Sequence, residues 1–108
     1  MLRLRAARIQ AGMSNDGIHV IAKIKAKSGK EAEVRGLLQK LVPAAQKEEG
    51  CMHYQLFEEL RVPGSFYTFE QWSSEATLKQ HLDGLQGVIA DAMPMLDGAP
   101  EIRPLNGL

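Results

Sequence analysis

The sequence predicts an α+β domain with the element order β-α-β-β-α-α-β, its helices covering one face of a mostly antiparallel sheet. Three observations carry this. Ile18, Val20, Ala22, Ile24 and Ala26 alternate without a break, the period of a strand with one buried face. Val34, Leu37, Leu38, Leu41 and Ala45 recur at helical spacing. Residues 51–72 hold two strand-like runs joined by Leu60-Arg61-Val62-Pro63-Gly64, which is turn chemistry and makes the pair a hairpin.

Taken in order, the first strand runs from Ile18 to Lys27. Its second row, His19, Ile21, Lys23, Lys25 and Lys27, is apolar or neutral at one end and charged at the other. Ser28-Gly29-Lys30-Glu31 matches the Ser-x-x-Glu capping box and predicts a helix from there to about Glu48. Pro43 should kink that helix or weaken one turn, and Gly50 offers a left-handed stop. Cys51 to Glu58 reads as the second strand. Ser65 to Trp72, rich in Phe66, Tyr67, Thr68, Phe69 and Trp72, reads as the third.

Ser73 or Ser74 can cap the next helix, with Glu75 in its first turn. Leu78, His81, Leu82 and Leu85 share one face. Gly84 and Gly87 predict a break, with a separate helical piece near Leu85 to Leu96. A short strand around Glu101 to Leu105 ends the chain. Pro104 cannot donate to a ladder, which places that strand, or its tip, at a sheet edge.

Composition bounds the function. At 108 residues with a 44% hydrophobic fraction, the chain can build one packed core. Formal net charge is zero and no basic stripe carries interleaved aromatics, which argues against nucleic acid as a partner. No apolar run approaches the roughly 18 residues of a membrane span. The lone Cys51 excludes an internal disulfide framework and fits a reducing cytoplasm.

Residues 1–15 are set apart as an N-terminal extension, and residues 16–108 are read as the folded domain. Arg3, Arg5 and Arg8 interrupt the apolar block that a secretory signal needs. A start at Met13, a tag remnant and a short basic presequence all stay open for this stretch.

The face of the sheet turned away from the helices carries His19 and Ile21 on the first strand and Tyr67 and Phe69 on the third. Such a patch is rarely left in water, and a second copy of the chain covers it economically, so a homodimer is expected.

His81 is the strongest candidate for chemistry. An imidazole exchanges a proton near neutral pH, and its helical neighbours turn it inward. A buried structural histidine is the competing reading. Glu70 and Trp72 share one strand face with Phe66 and Thr68. A carboxylate in an apolar row needs a partner, either His81 or a substrate hydroxyl, or else a structural Arg or Lys. Trp72 offers a flat wall and one donor, or serves as a core tryptophan capping the sheet. Tyr54 can present a hydroxyl from the neighbouring strand or simply fill the core.

Cys51 has no basic neighbour and reads as an inert thiol. No metal site is expected, since His19, His53 and His81 are far apart and no HExxH spacing occurs. Gly29, Gly50 and Gly64 read as turns and stops, not as a phosphate loop.

The stretches IHVIAKIKAKSGKEAEV, LVPAAQKEEGCMHYQLFE and FYTFEQWSSEATLKQHL, with the terminal IRPLNGL, resemble the antibiotic biosynthesis monooxygenase family, in particular its quinol monooxygenase-like branch. Glu-Gly-Cys before a Tyr-bearing strand, Glu-Gln-Trp at the end of the next, and a His eight to ten residues later are the specific part.

The resemblance implies a ferredoxin-like subunit of a dimeric α+β barrel, with a pocket between sheet and helices. It implies oxidation of a quinol or polyphenol-like aromatic by O2 with neither metal nor flavin. His81 would be the base, assisted by Glu70 and Trp72, and Phe66, Thr68, Tyr54 and Ala22 would contact the substrate.

Two positions depart from relatives. Gln86 stands near the place of a second histidine, and Ala22 occupies the position of an asparagine in haem-degrading members of the fold. An isomerase of the autoinducer-processing type and a non-catalytic dimeric binding module are the alternatives that the resemblance leaves standing.

Overall fold

The computed structural model describes residues 16–108. The expectation for residues 1–15 lies outside the described residues. The elements are strand β1 (Ile18–Lys25), helix α1 (Glu31–Gln46), strands β2 (Cys51–Glu58) and β3 (Ser65–Trp72), helix α2 (Glu75–Ala92), a 3-10 turn (Met93–Met95) and strand β4 (Glu101–Asn106).

The strands form one sheet in the order β2-β3-β1-β4, and every neighbouring pair is antiparallel. This is the ferredoxin-like arrangement expected from the element order. β1 lies inside the sheet, with Ile18 opposite Trp72 on one side and opposite Asn106 on the other. Pro104 sits on β4, at the sheet edge, where a missing N–H costs least.

The period-2 reading of β1 holds: Val20, Ala22, Ile24 and Ala26 are buried. Helices α1 and α2 cover that face. The strand itself ends at Lys25, and Ala26 makes only an isolated bridge to Leu96.

Two local expectations are corrected. Ser28 does not cap α1: the helix starts at Glu31, its first flanking residue is Lys30, and no side chain caps it. The Glu31 carboxylate instead accepts from the Gly29 N–H at 2.9 Å, which consumes the group the capping box required.

Nor do Gly84 and Gly87 divide the second helix, which is continuous from Glu75 to Ala92. A side-chain carbon built on either glycine would meet nothing within 4 Å. Both therefore lie where no packing is lost, at about 1 kcal/mol each in helix propensity. The inward row of Leu78, His81 and Ala92 outweighs that cost. The helix ends where Pro94 enters, since Pro94 has no N–H to continue the ladder. At the other end Ser74 caps it, accepting from the Thr77 N–H in a reciprocal box.

The core is divided. Ala22, Ile24, Ala26, Val34, Phe66, Ala92 and Leu96 form one buried cluster, and Val20, Ala45, Tyr54, Trp72 and Leu78 form the other. On the opposite face of the sheet Ile21, Phe57 and Phe69 are 39%, 43% and 41% exposed, with the two phenyl rings 5.2 Å apart.

Candidate active site

A cavity of about 70 Å3 lies between the two core clusters. Its aliphatic walls come from α1 (buried Val34 with half-buried Leu37, Leu38 and Leu41) and α2 (Leu82, Leu85, Val88, Ile89). Its polar groups come from Tyr54, Thr68, Glu70 and His81. No lysine or arginine lines it. A cavity of roughly 150 Å3 admits a benzene ring, about twice the volume here.

His81 is 2% exposed. Its Nδ1 is 3.0 Å from both carboxylate oxygens of Glu48. A carboxylate only accepts, so Nδ1 carries the proton of the neutral ring and Nε2 is left as the basic nitrogen. Nε2 is 3.8 Å from Glu70 Oε1, beyond hydrogen-bond reach. The imidazole stacks on the Trp72 indole, centroids 4.3 Å apart, and meets the Tyr54 ring edge-on at 5.7 Å. Three sides of the ring are thus fixed, and His81 is among the residues that line the cavity.

Glu70 is held as firmly. Thr68 Oγ1 donates to one of its oxygens at 2.6 Å and Trp72 Nε1 to the other at 2.9 Å. All three residues lie on the same face of β3, as their spacing requires. Burial pushes the Tyr54 phenol above its ordinary range, aided by the negative charges of Glu70 and Glu48. Tyr54 therefore stays protonated and can donate to an oxygen in the cavity. Burial likewise raises the Cys51 thiol, in keeping with an inert cysteine.

The structure brings together His81, Glu70, Thr68, Tyr54 and Ala22 around one space. Trp72 and Phe66 do not line it. Trp72 is fully buried behind His81, and Phe66 is packed in the aliphatic cluster with the Arg35 guanidinium 5.8 Å from its ring. The expected aromatic wall is therefore reduced to Tyr54. Gln86 is exposed on the outer side of α2 and is not among the lining residues.

Glu48 was not legible as a site residue. It lies 33 positions before His81, in the turn after α1, and no local pattern marks it. That turn is fastened to the start of α2. Gly50 has φ 81°, a side-chain carbon there would come within 2.5 Å of Thr77, and the Ser73 N–H donates to the Gly50 carbonyl at 2.8 Å. Among the described residues no three His, Cys, Asp or Glu side chains gather as a metal-binding group.

Comparison with known proteins places this arrangement. The family model for antibiotic biosynthesis monooxygenases matches residues 17–86. YcnE of Bacillus subtilis, provisionally named a monooxygenase, is 32% identical over 83 residues, which are 75% of this chain and 87% of YcnE. An uncharacterized protein of Synechocystis is 34% identical over 68 residues, 63% of this chain, and the chain spans about half (46%) of that relative's length.

Among solved structures, a conserved protein from Methanosarcina mazei is similar with a TM-score of 0.75 and 31% identity, covering 84% of this chain and 92% of its own. PA3566 from Pseudomonas aeruginosa is similar with a TM-score of 0.74 and 28% identity, covering 89% and 97%. With a model match spanning β1 to the middle of α2, and with the YcnE identity extending over three quarters of its length, the chain belongs to the antibiotic biosynthesis monooxygenase family.

Proposed function

We propose that the protein is a cofactor-independent monooxygenase that oxidises a quinol or polyphenol-like aromatic with O2. The observation that carries the reading is a buried histidine that lines a largely apolar cavity, with Nδ1 held by a carboxylate and Nε2 outside hydrogen-bond reach of Glu70.

A phenolic hydroxyl seated there gives its proton to His81 Nε2. The resulting phenolate is electron-rich enough to reduce O2 directly. One oxygen atom enters the ring and the other leaves as water, so a quinol and O2 become a hydroxyquinone and water. Tyr54 donates to the developing oxyanion, Glu70 offsets positive charge on His81, and Ala22 and Thr68 border the ring. Trp72 stacks on the imidazole and fixes its orientation, and Phe66 supports the wall from behind. The absence of Lys or Arg from the lining weighs against a phosphorylated substrate and hence against an isomerase of the autoinducer-processing type.

The chain acts as a homodimer in this reading, with Ile21, Phe57 and Phe69 covered by the same face of a second copy. Light scattering should give twice the monomer mass at micromolar concentration, and a clean monomer would end that part of the proposal. The lone thiol suits a reducing cytoplasm.

The test of activity is O2 uptake with a panel of reduced quinols and polyphenols, measured against enzyme-free autoxidation. Uptake above background that is lost in His81→Ala supports the reading. No uptake across the panel by folded protein would refute it.

A further inference from the structure

We propose that Glu48 is a positioning residue that also connects the buried base to bulk water, so that protons enter and leave the cavity through it. The inference rests on His81 being the base of the reaction proposed above.

His81 is 2% exposed, whereas the Glu48 side chain is 38% exposed. Both Glu48 oxygens are 3.0 Å from Nδ1. The other groups against the imidazole open no such path. Glu70 is buried and committed to Thr68 and Trp72, Tyr54 is a buried donor, and the Trp72 indole covers one ring face. A ligand in the cavity occupies the remaining side.

The location of Glu48 argues the same way. It follows the C-terminus of α1, where the helix dipole disfavours an anion and where no basic residue stands in the last turn. A carboxylate there does nothing for the helix. It is aimed instead at a histidine on another element.

The proton count closes. Nε2 takes the substrate proton and His81 becomes an imidazolium. Nδ1–H passes to Glu48, which releases it to water and leaves the Nε2–H tautomer. When the reduced oxygen needs a proton, Nε2–H is delivered to it while Glu48 returns one from water to Nδ1. The ring ends as it began, without a flip that its stacking on Trp72 would oppose.

Two measurements on the full chain test this. The first is solvent exchange of the His81 Nδ1 proton, followed by nitrogen-resolved NMR in wild type, Glu48→Gln and Glu48→Asp. A glutamine carbonyl still accepts from Nδ1–H but cannot carry a proton onward. Glu48→Gln should keep the tautomer and slow exchange by about tenfold or more, and Glu48→Asp should largely restore it. Exchange unchanged in Glu48→Gln would overturn the proposal, whether or not any quinol is oxidised.

The second is turnover on a quinol that the wild type accepts. Glu48→Gln should lower kcat by about 100-fold with KM nearly unchanged, and added formate should recover part of the loss. A rise in KM with kcat intact, or no recovery by formate alongside normal exchange, would make Glu48 merely structural. Failure of every quinol with wild-type protein refutes the monooxygenase reading and leaves the exchange measurement to decide the path.

Discussion

Two carboxylate clusters in this small domain have opposite characters. At the hairpin, Arg35 grips Glu58 with two parallel bonds of 2.9 and 2.7 Å, and the Gly64 N–H adds a third at 3.0 Å. The Glu58 carboxyl is held down to about 2, chiefly by Arg35 and then by that amide. Beside the cavity, Glu48 and Glu70 flank a histidine that bonds Glu48 through Nδ1 and keeps Nε2 outside hydrogen-bond reach of Glu70. The first cluster accepts three of the roughly four hydrogen bonds a carboxylate can take and ties α1 to the β2–β3 turn. The second leaves Nε2 of a cavity-lining histidine without a hydrogen bond to Glu70. A carboxylate spent on an arginine and an amide fits a structural pair, whereas a buried histidine between two carboxylates at a cavity is the arrangement proposed above for chemistry.

Substitutions can break or sharpen that contrast. The largest effect is expected from His81→Ala, which should remove quinol-dependent O2 uptake by at least about 100-fold. Glu58→Gln, at the hairpin cluster, should leave uptake unchanged.

Next comes Glu70→Ala. It strands the Thr68 hydroxyl and the Trp72 N–H in a buried site, at about 1–3 kcal/mol for each unmet group. Thermal melting should show this as a fall of about 8 °C or more, since about 1 kcal/mol moves Tm by about 4–8 °C in a domain this size. An unchanged Tm would mean that Glu70 is not held as described.

Gly50→Ala should cost about 1–3 kcal/mol from the left-handed backbone, with more from contact with Thr77. It should also disturb the Glu48–His81 contact, because the same turn carries Glu48.

The smallest effect is a pH dependence at the hairpin cluster. The Glu58 carboxyl is lower in the folded chain than its ordinary 4.5, so its contribution is fully present above that value. It is lost as pH falls toward about 2. The stability gap between wild type and Glu58→Gln should therefore be flat above pH 5 and close toward pH 2. A gap that persisted at pH 2 would contradict the bonding described.

The same contrast explains what could be read from the residues in advance. Strands β2 and β3 fall on the expected limits because alternation and Gly64 are local signals. His81, Glu70 and Thr68 were visible because each shares a helix or strand face with apolar residues. Glu48 was not, since its partner arrives only when α2 docks against the turn after α1. Gly84 and Gly87 misled for a related reason. Helix propensity is local, whereas the inward row from Leu78 to Ala92 draws its energy from the sheet. Trp72 and Phe66 share the face of Glu70, but the sequence does not say that one stands behind His81 and the other beneath Arg35.

The split core has a consequence for finding the natural ligand. A domain that leaves a gap between its two apolar clusters is less stable empty than filled. Any molecule that fits the gap is thereby coupled to unfolding: at a hundredfold excess over its Kd it adds about 2.7 kcal/mol. On the same scale that raises the melting midpoint by about 10 °C or more. The folded chain can therefore serve as its own sensor. Heating it with a metabolite collection under nitrogen would report binding without oxygen chemistry and without knowing the product.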